Sequence, residues 1–338
     1  MTKQGNITFW ERNRKSGGYL LRKRIGEFIC RFCRAVLLVG LCFLILQPLL
    51  HKFSISMMAE GDLYDKTVIN VPRHFSTEPI RSSWKWLGSF KPFFTSIRIG
   101  IVVALLQVLA CTLVGYGFAR YKFPLKNFWF ACVILLIVVP AQTLMTPLQL
   151  LLADWDFPGI KGIGILHLIT GKGLRLTGKE IAYYIVCAGC AGYKGGLYIY
   201  MMRQHFRNEP KELEEAAYVD GCNRWTTFWK ILLPGARPMM VSCFLFSFVW
   251  WWTDGVYSRV FFAKGNNWAT IANALNGLVE NMNHDMEKIY GKGYIVPTAR
   301  SEQILSTATL LTLIPLVLIY ILAQKSFVES ISQSGIKG

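Results

Sequence analysis

Gly173, Gly178 and Lys179 stand at the spacing G-x-x-x-x-G-K. That pattern wraps backbone N–H groups around phosphates and sends a lysine to the terminal ones. The following residue must then be Ser or Thr, because its hydroxyl holds magnesium. Here it is Glu180, and no apolar strand precedes the glycines. The chain is therefore expected to carry no nucleotide site of its own. Two C-x-x-C pairs, Cys30/Cys33 and Cys187/Cys190, have zinc-ligand spacing. Both fall in apolar stretches far apart in the chain, where helix packing is the better account of a thiol. His51, His74, His167, His205 and His284 are scattered, with neither H-E-x-x-H nor G-x-S-x-G in the chain. No catalytic residue, metal or cofactor is expected. One further cluster suits binding, Trp250-Trp251-Trp252-Thr253-Asp254. Indole faces stack on sugar rings, and a carboxylate accepts their hydroxyl hydrogens. Three consecutive Trp cannot share one helix face, so one of them, taken as Trp251, is expected to line a path with Asp254. The alternative is that these Trp simply mark a membrane interface.

The elements that would position these residues are membrane helices. Of the 338 residues 53% are apolar and only 17% charged, against about 25% charged in ordinary soluble domains. A bilayer-spanning helix needs about 20 mostly apolar residues. Ile99–Phe118, Phe128–Leu152 and Ile304–Ala323 are runs without a charge. Phe28–Leu50 and Met239–Phe262 add two more, with charges near their ends. Ile181–Met202 is the sixth, with Lys194 inside it and Ala188, Gly192 and Gly196 spaced by four. Such a stripe of small residues lets membrane helices approach closely. Lys194 either faces a pore or snorkels.

Orientation follows the basic residues. With a cytoplasmic N-terminus, segments 1–34, 120–127, 203–238 and 325–338 lie inside, with 20 Lys and Arg and 8 acids. The outer segments 51–94, 153–180 and 263–302 carry 14 and 11. The net charge of +17 is thus assigned to anionic headgroups rather than to nucleic acid. The cluster Arg12, Arg14, Lys15, Arg22, Lys23 and Arg24, just before a span, is read as a membrane anchor. Residues 1–27 form a basic lead and 28–50 the first span. A core over 91–324 is expected to hold helices at about 93–119, 128–152, 181–202, 239–262 and 304–323, followed by a tail, 325–338. A cleaved signal peptide is not expected, because the lead is long and Pro48 interrupts the apolar run.

The inner loop 203–238 predicts two short helices. Glu209, Pro210, Glu212, Glu214 and Glu215 suit the first turns of one, where negative charge meets the helix dipole. Gly221 suits its left-handed stop. Asn223 caps a second helix, Trp225, Phe228, Trp229 and Leu232 recur at helical spacing, and Pro234 is expected to end it. Spacing alone leaves two readings open: an element that enters a cleft on another protein, or a helix lying under the membrane.

Glu215-Ala216-Ala217, three residues, Gly221, nine residues, Ile231, one residue, and Leu233-Pro234 reproduce the EAA motif of ABC importer permeases. The stretch Gly115–Pro124, Val139-Pro140 with Pro147-Leu148, and the terminal Ser334–Gly338 resemble the carbohydrate, maltose-type subfamily. The resemblance covers residues 91–338. It implies an all-α, six-helix type I importer permease fold in the cytoplasmic membrane, with both termini cytoplasmic. It also implies coupling through Glu214, Glu215, Ala216, Ala217, Asp220, Gly221, Ile231, Leu233 and Pro234 to an ATPase subunit present in two copies. The remaining implied partners are a second, homologous permease subunit, an extracytoplasmic solute-binding protein, membrane lipid and a sugar or oligosaccharide. ATP hydrolysis then belongs to the separate subunit. The EAA motif alone also permits an amino acid, a peptide or a polyol as solute.

Overall fold

The computed structural model describes residues 13–14, 16–68, 71–153, 155, 174, 176, 178–255, 257–258 and 270–335. The described residues are overwhelmingly helical, and their only β-pairings are two isolated bridges, Met58 with Phe75 and Trp155 with Leu174. The chain divides into two units, Met1–Thr77 and Glu78–Gly338.

The first unit holds α1 (Tyr19–Ser56), which contains the span expected at 28–50 and continues through Pro48. A 3₁₀ turn (Glu60–Tyr64) follows. Beyond α1 the chain folds back on Asp62. Its carboxylate accepts the backbone N–H of Arg73 at 2.8 Å and of His74 at 2.7 Å. The His74 hydrogen bonds hold the Asp62 carboxyl below its usual range.

The second unit is a helical bundle. Its elements are α2 (Glu78–Trp86), α3 (Phe90–Arg120), α4 (Lys126–Val138), α5 (Ala141–Ala153), α6 (Glu180–Ala188), α7 (Gly195–Asn208) and α8 (Glu212–Val219). They continue with α9 (Arg224–Gly235), α10 (Arg237–Thr253), α11 (Ile271–Asn276), α12 (Leu278–Tyr290) and α13 (Thr298–Gly335). α1, α3 and α13 are each long and apolar enough to cross a membrane unbroken. The expected span 128–152 is broken at Val139-Pro140 into α4 and α5. Proline removes one backbone donor and disfavours helix in the residue before it. The expected span 181–202 is not continuous either. α6 ends at Ala188, and the chain turns through Gly189–Lys194 with Cys190 and Lys194 at positive φ. Cys190 therefore sits in a turn rather than in a helix, and Ala188, Gly192 and Gly196 are not one stripe. Gly189, Gly192, Gly195 and Gly196 crowd this stretch, and each glycine costs about 1 kcal/mol relative to alanine inside a helix.

α3 is the hub, packed by α7, α10 and α6. Glycine sets its distance from α7. A Cβ at Gly115 would lie 2.7 Å from the Met202 Cβ and 3.0 Å from the Arg203 backbone nitrogen. Gly115→Val is expected to overpack this crossing and cost about 2–3 kcal/mol. A thermal unfolding midpoint in detergent equal to that of the unsubstituted protein would count against that close approach. At one end of α3, Ile99, Val103 and Trp251 join Tyr183 and Cys187 in a buried cluster. Nearer its other end, Tyr116 and Phe118 pack with Tyr198, Phe206, Phe228 and Leu232.

Candidate functional site

The predicted two-helix loop is present as α8 and α9. The backbone N–H groups of Glu214 and Glu215 donate to the Lys211 carbonyl at 2.9 and 3.0 Å. At the other end of α8, Gly221 adopts φ +80°. Its N–H donates to the Tyr218 carbonyl at 3.1 Å, and the Cys222 N–H donates to the Ala217 carbonyl at 2.9 Å. That is the left-handed helix stop for which glycine is favoured. Asn223 then caps α9, its side chain accepting the Thr226 N–H at 2.7 Å. Pro234 does not end α9, which runs on to Gly235. The turns just before it widen into a π-helix over Phe228–Leu232. Wide turns relieve the clash of a proline ring with the carbonyl four residues earlier. α9 and α10 meet at a bend of 71°.

The helical period sorts the motif into two faces. Ala217 is buried and Glu214 half-buried. Glu215, Ala216, Asp220 and Gly221 are exposed, beside Leu213 and Val219. Val219 leaves 87% of its surface open. On α9, Phe228 and Leu232 enter the core, while Trp225 and Trp229 stay outside as an edge-to-face pair 5.6 Å apart. Ile231, Leu233 and Pro234 are half-buried, and Leu233 packs against the Tyr116–Phe228 cluster. So the loop presents an apolar, glutamate-bearing surface and is anchored from behind.

That anchor is Arg120, the last residue of α3, which the sequence placed only within the Gly115–Pro124 stretch. Its Nε lies 2.5 Å from a Glu214 carboxylate oxygen, with the two side chains 7% and 12% exposed. The atoms are close enough for an ion pair but are not aligned as a hydrogen bond. A second guanidinium nitrogen donates to the Glu209 carbonyl at 2.9 Å. Arg120 thus grips both the lead into α8 and its first turn. Burial, then the Glu214 charge, pushes the Tyr218 hydroxyl above its ordinary range.

In the α10 cluster the three tryptophans separate. Trp251 and Trp252 are each 3% exposed, and their indole N–H groups donate to the carbonyls of Ser96 and Thr312. Trp250 is the open one, at 40%. It lies 5.3 Å from the Tyr193 ring, and the Lys194 ammonium sits over both rings, 5.5 and 5.8 Å from their centroids. The break between α6 and α7 is what delivers Tyr193 and Lys194 to Trp250. Tyr257 closes the group, 5.4 Å from Tyr193. Asp254 is half-buried and caps the next turn, accepting the backbone N–H groups of Tyr257 and Ser258 at 3.2 and 3.3 Å. Which of these neighbouring residues is open depends on which helices lie opposite, and that cannot be read along the sequence.

Glu180, the odd residue of the phosphate-loop pattern, is bound by the guanidinium of Arg98 on α3 through both of its oxygens. Gly173 and Arg259 lie outside the described residues. Among the described residues no group of three or more His, Cys, Asp or Glu side chains is placed to hold a metal ion.

The bundle resembles a solved structure of a bacterial ABC transporter involved in the import of the acidic polysaccharide alginate. The TM-score is 0.64 at 19% identity, over 89% of this chain and 98% of that one. The chain is 26% identical, over 75% of each protein, to the arabinooligosaccharides transport system permease protein AraQ of Halalkalibacterium halodurans. It is 24% identical to the sn-glycerol-3-phosphate transport system permease protein UgpE of Yersinia enterocolitica, over 90% of this chain and 96% of the relative. The fold is that of an ABC transporter permease. Through residues 111–333, the chain belongs to the family of binding-protein-dependent transport system inner membrane components.

Proposed function

We propose that this chain is one permease half of an ATP-driven importer for a sugar or oligosaccharide. The observation that carries the reading is the two-faced α8. Its inner face is tied to α3 by Glu214, and its outer face offers Glu215, Ala216, Asp220 and Gly221 beside open apolar side chains. A separate ATPase, in two copies, engages that outer face from the cytoplasm, where both termini lie. A second, homologous permease completes the path, and an extracytoplasmic binding protein delivers the solute. Closure of the ATPases pulls on residues 209–233 and shifts the bundle between two states that the solute-loaded binding protein and ATP bias in the same direction.

A sugar is favoured over an amino acid or a peptide by the arabinooligosaccharide relative and by the open aromatic pair Tyr193–Trp250. The glycerol phosphate relative keeps a small polyol ester as the second reading. The test is uptake into proteoliposomes by the assembled complex, using labelled arabino- and gluco-oligosaccharides and glycerol 3-phosphate. ATP-dependent accumulation of an oligosaccharide supports the reading. Accumulation of glycerol 3-phosphate alone selects the second, and transport without the ATPase defeats both.

Within the path, Trp250 is assigned the stacking surface and Asp254 a hydroxyl acceptor, with Trp251 holding α10 against α3. Trp250→Ala is expected to raise the half-saturating solute concentration about tenfold, which corresponds to about 1.4 kcal/mol. Solute-independent ATP hydrolysis should stay unchanged. An unaltered concentration dependence would remove Trp250 from the path.

A further inference from the structure

Four cations gather where α4 begins and α7 ends, on the same end of the bundle as the coupling loop. The two helices run antiparallel. Gly196 of α7 fits against the Val133 carbonyl and the Leu136 side chain of α4. Two turns on, the central carbon of the Arg203 guanidinium sits over the Phe130 ring, 3.9 Å from its centroid. One more turn brings Arg207 toward Lys126. Burial, then the charges of Arg203, Arg207 and Lys122, push the Lys126 ammonium below its ordinary range. No carboxylate pairs with any of the four among the described residues. The nearby Glu209 sits 3.6 Å from His205, and Glu214 is taken by Arg120.

Like charges repel, and an anion held among them would relieve that repulsion. The donors are also underused. A guanidinium stacked on a ring keeps its N–H edge free for a bidentate acceptor, and the Arg203 Nε is buried without a hydrogen-bond partner. The Lys126 ammonium donates to the Tyr121 carbonyl at 2.8 Å and has donors to spare. The position fits one source of anion. Phe128 and Trp129 are 58% and 50% exposed next to Lys126, and above them α4 is apolar to Val138. Aromatic residues flanking an apolar helix mark the headgroup layer.

We propose that Lys122, Lys126, Arg203 and Arg207 form a binding site for the phosphodiester of an anionic phospholipid, with its acyl chains along the open face of α4. The site depends on membrane placement only, whatever the transported solute. A bound lipid would tie α4 to α7 across the breaks on either side of them.

The full-length protein, exchanged into mixed phosphatidylglycerol and phosphatidylcholine vesicles and re-extracted, is assayed for retained lipid by native mass spectrometry. The unsubstituted chain is expected to retain phosphatidylglycerol selectively. Arg203→Gln with Arg207→Gln should lower that selectivity about tenfold or more, since each basic group at an anionic surface is worth roughly a factor of five. Lys122→Gln with Arg207→Gln alters only exposed side chains and should lower it comparably, which separates the site from misfolding. Lys211→Gln with Lys230→Gln removes equal charge on the neighbouring loop and should leave it intact. Equal loss in that control pair would reduce the effect to net charge and overturn the site. So would displacement of the lipid by inorganic phosphate. Undiminished retention in both site variants, with loss of ATPase co-purification instead, would make the cluster a protein contact.

Discussion

Gly221→Pro is expected to abolish solute-stimulated ATP hydrolysis in the complex proposed above, while the protein still inserts and folds. Gly221 sits at φ +80° and donates its N–H to the Tyr218 carbonyl. Proline is held near φ −65° and has no N–H. The turn between α8 and α9 must open, and the exposed face of Glu215, Ala216 and Val219 loses its orientation. No buried side chain is touched, since a Cβ at this position would meet nothing within 4 Å. The effect is therefore on transmission. A graded series sharpens the expectation. Asn tolerates the left-handed region and should retain most stimulation. Ala, strained there by about 1 kcal/mol, should retain less. Stimulated and basal hydrolysis measured on the same preparations make the check, and full stimulation in the Pro variant would remove the loop from the coupling path.

Glu214→Ala is expected to cost about 3–5 kcal/mol of stability, because it leaves the Arg120 charge buried and unpaired. Arg120→Ala should cost a similar amount for the converse reason. The double variant should lose much less than the sum of the two, since residues in one ion pair are coupled. Unfolding of all four proteins in detergent gives the cycle, and simple additivity would show that the 2.5 Å pair carries no energy. Glu215→Lys is expected to behave oppositely. Its side chain is exposed, so stability should hold while ATPase co-purification falls. The two adjacent glutamates, equivalent by charge, thus meet different surroundings through a rotation of about 100° along one helix.

Much of this was legible beforehand. Long uncharged runs can only be buried in lipid or a large core, so α1, α3 and α13 were readable from composition. The α8–Gly221–α9 turn was readable too, since a positive φ calls for glycine and a first turn welcomes acids. The breaks were less so. Val139-Pro140 carried a visible signal, whereas the turn at Gly189–Lys194 lay inside an apolar run whose hydropathy resembles that of an intact helix. Pro234 misled in the other direction, because a π-turn absorbed its clash.

By itself the amino-acid sequence determined that this is a membrane-embedded bundle with a structured two-helix loop, because hydropathy, capping and turn chemistry are local. Only the tertiary structure decided that Trp250 rather than Trp251 is open, that Lys194 joins it, and that Arg120 claims Glu214. Each of these is a choice of neighbour across helices far apart in the chain. Periodicity gives every helix its faces but leaves open what each face meets. That is settled where close-packed glycines such as Gly115 and Gly196 bring the backbones together.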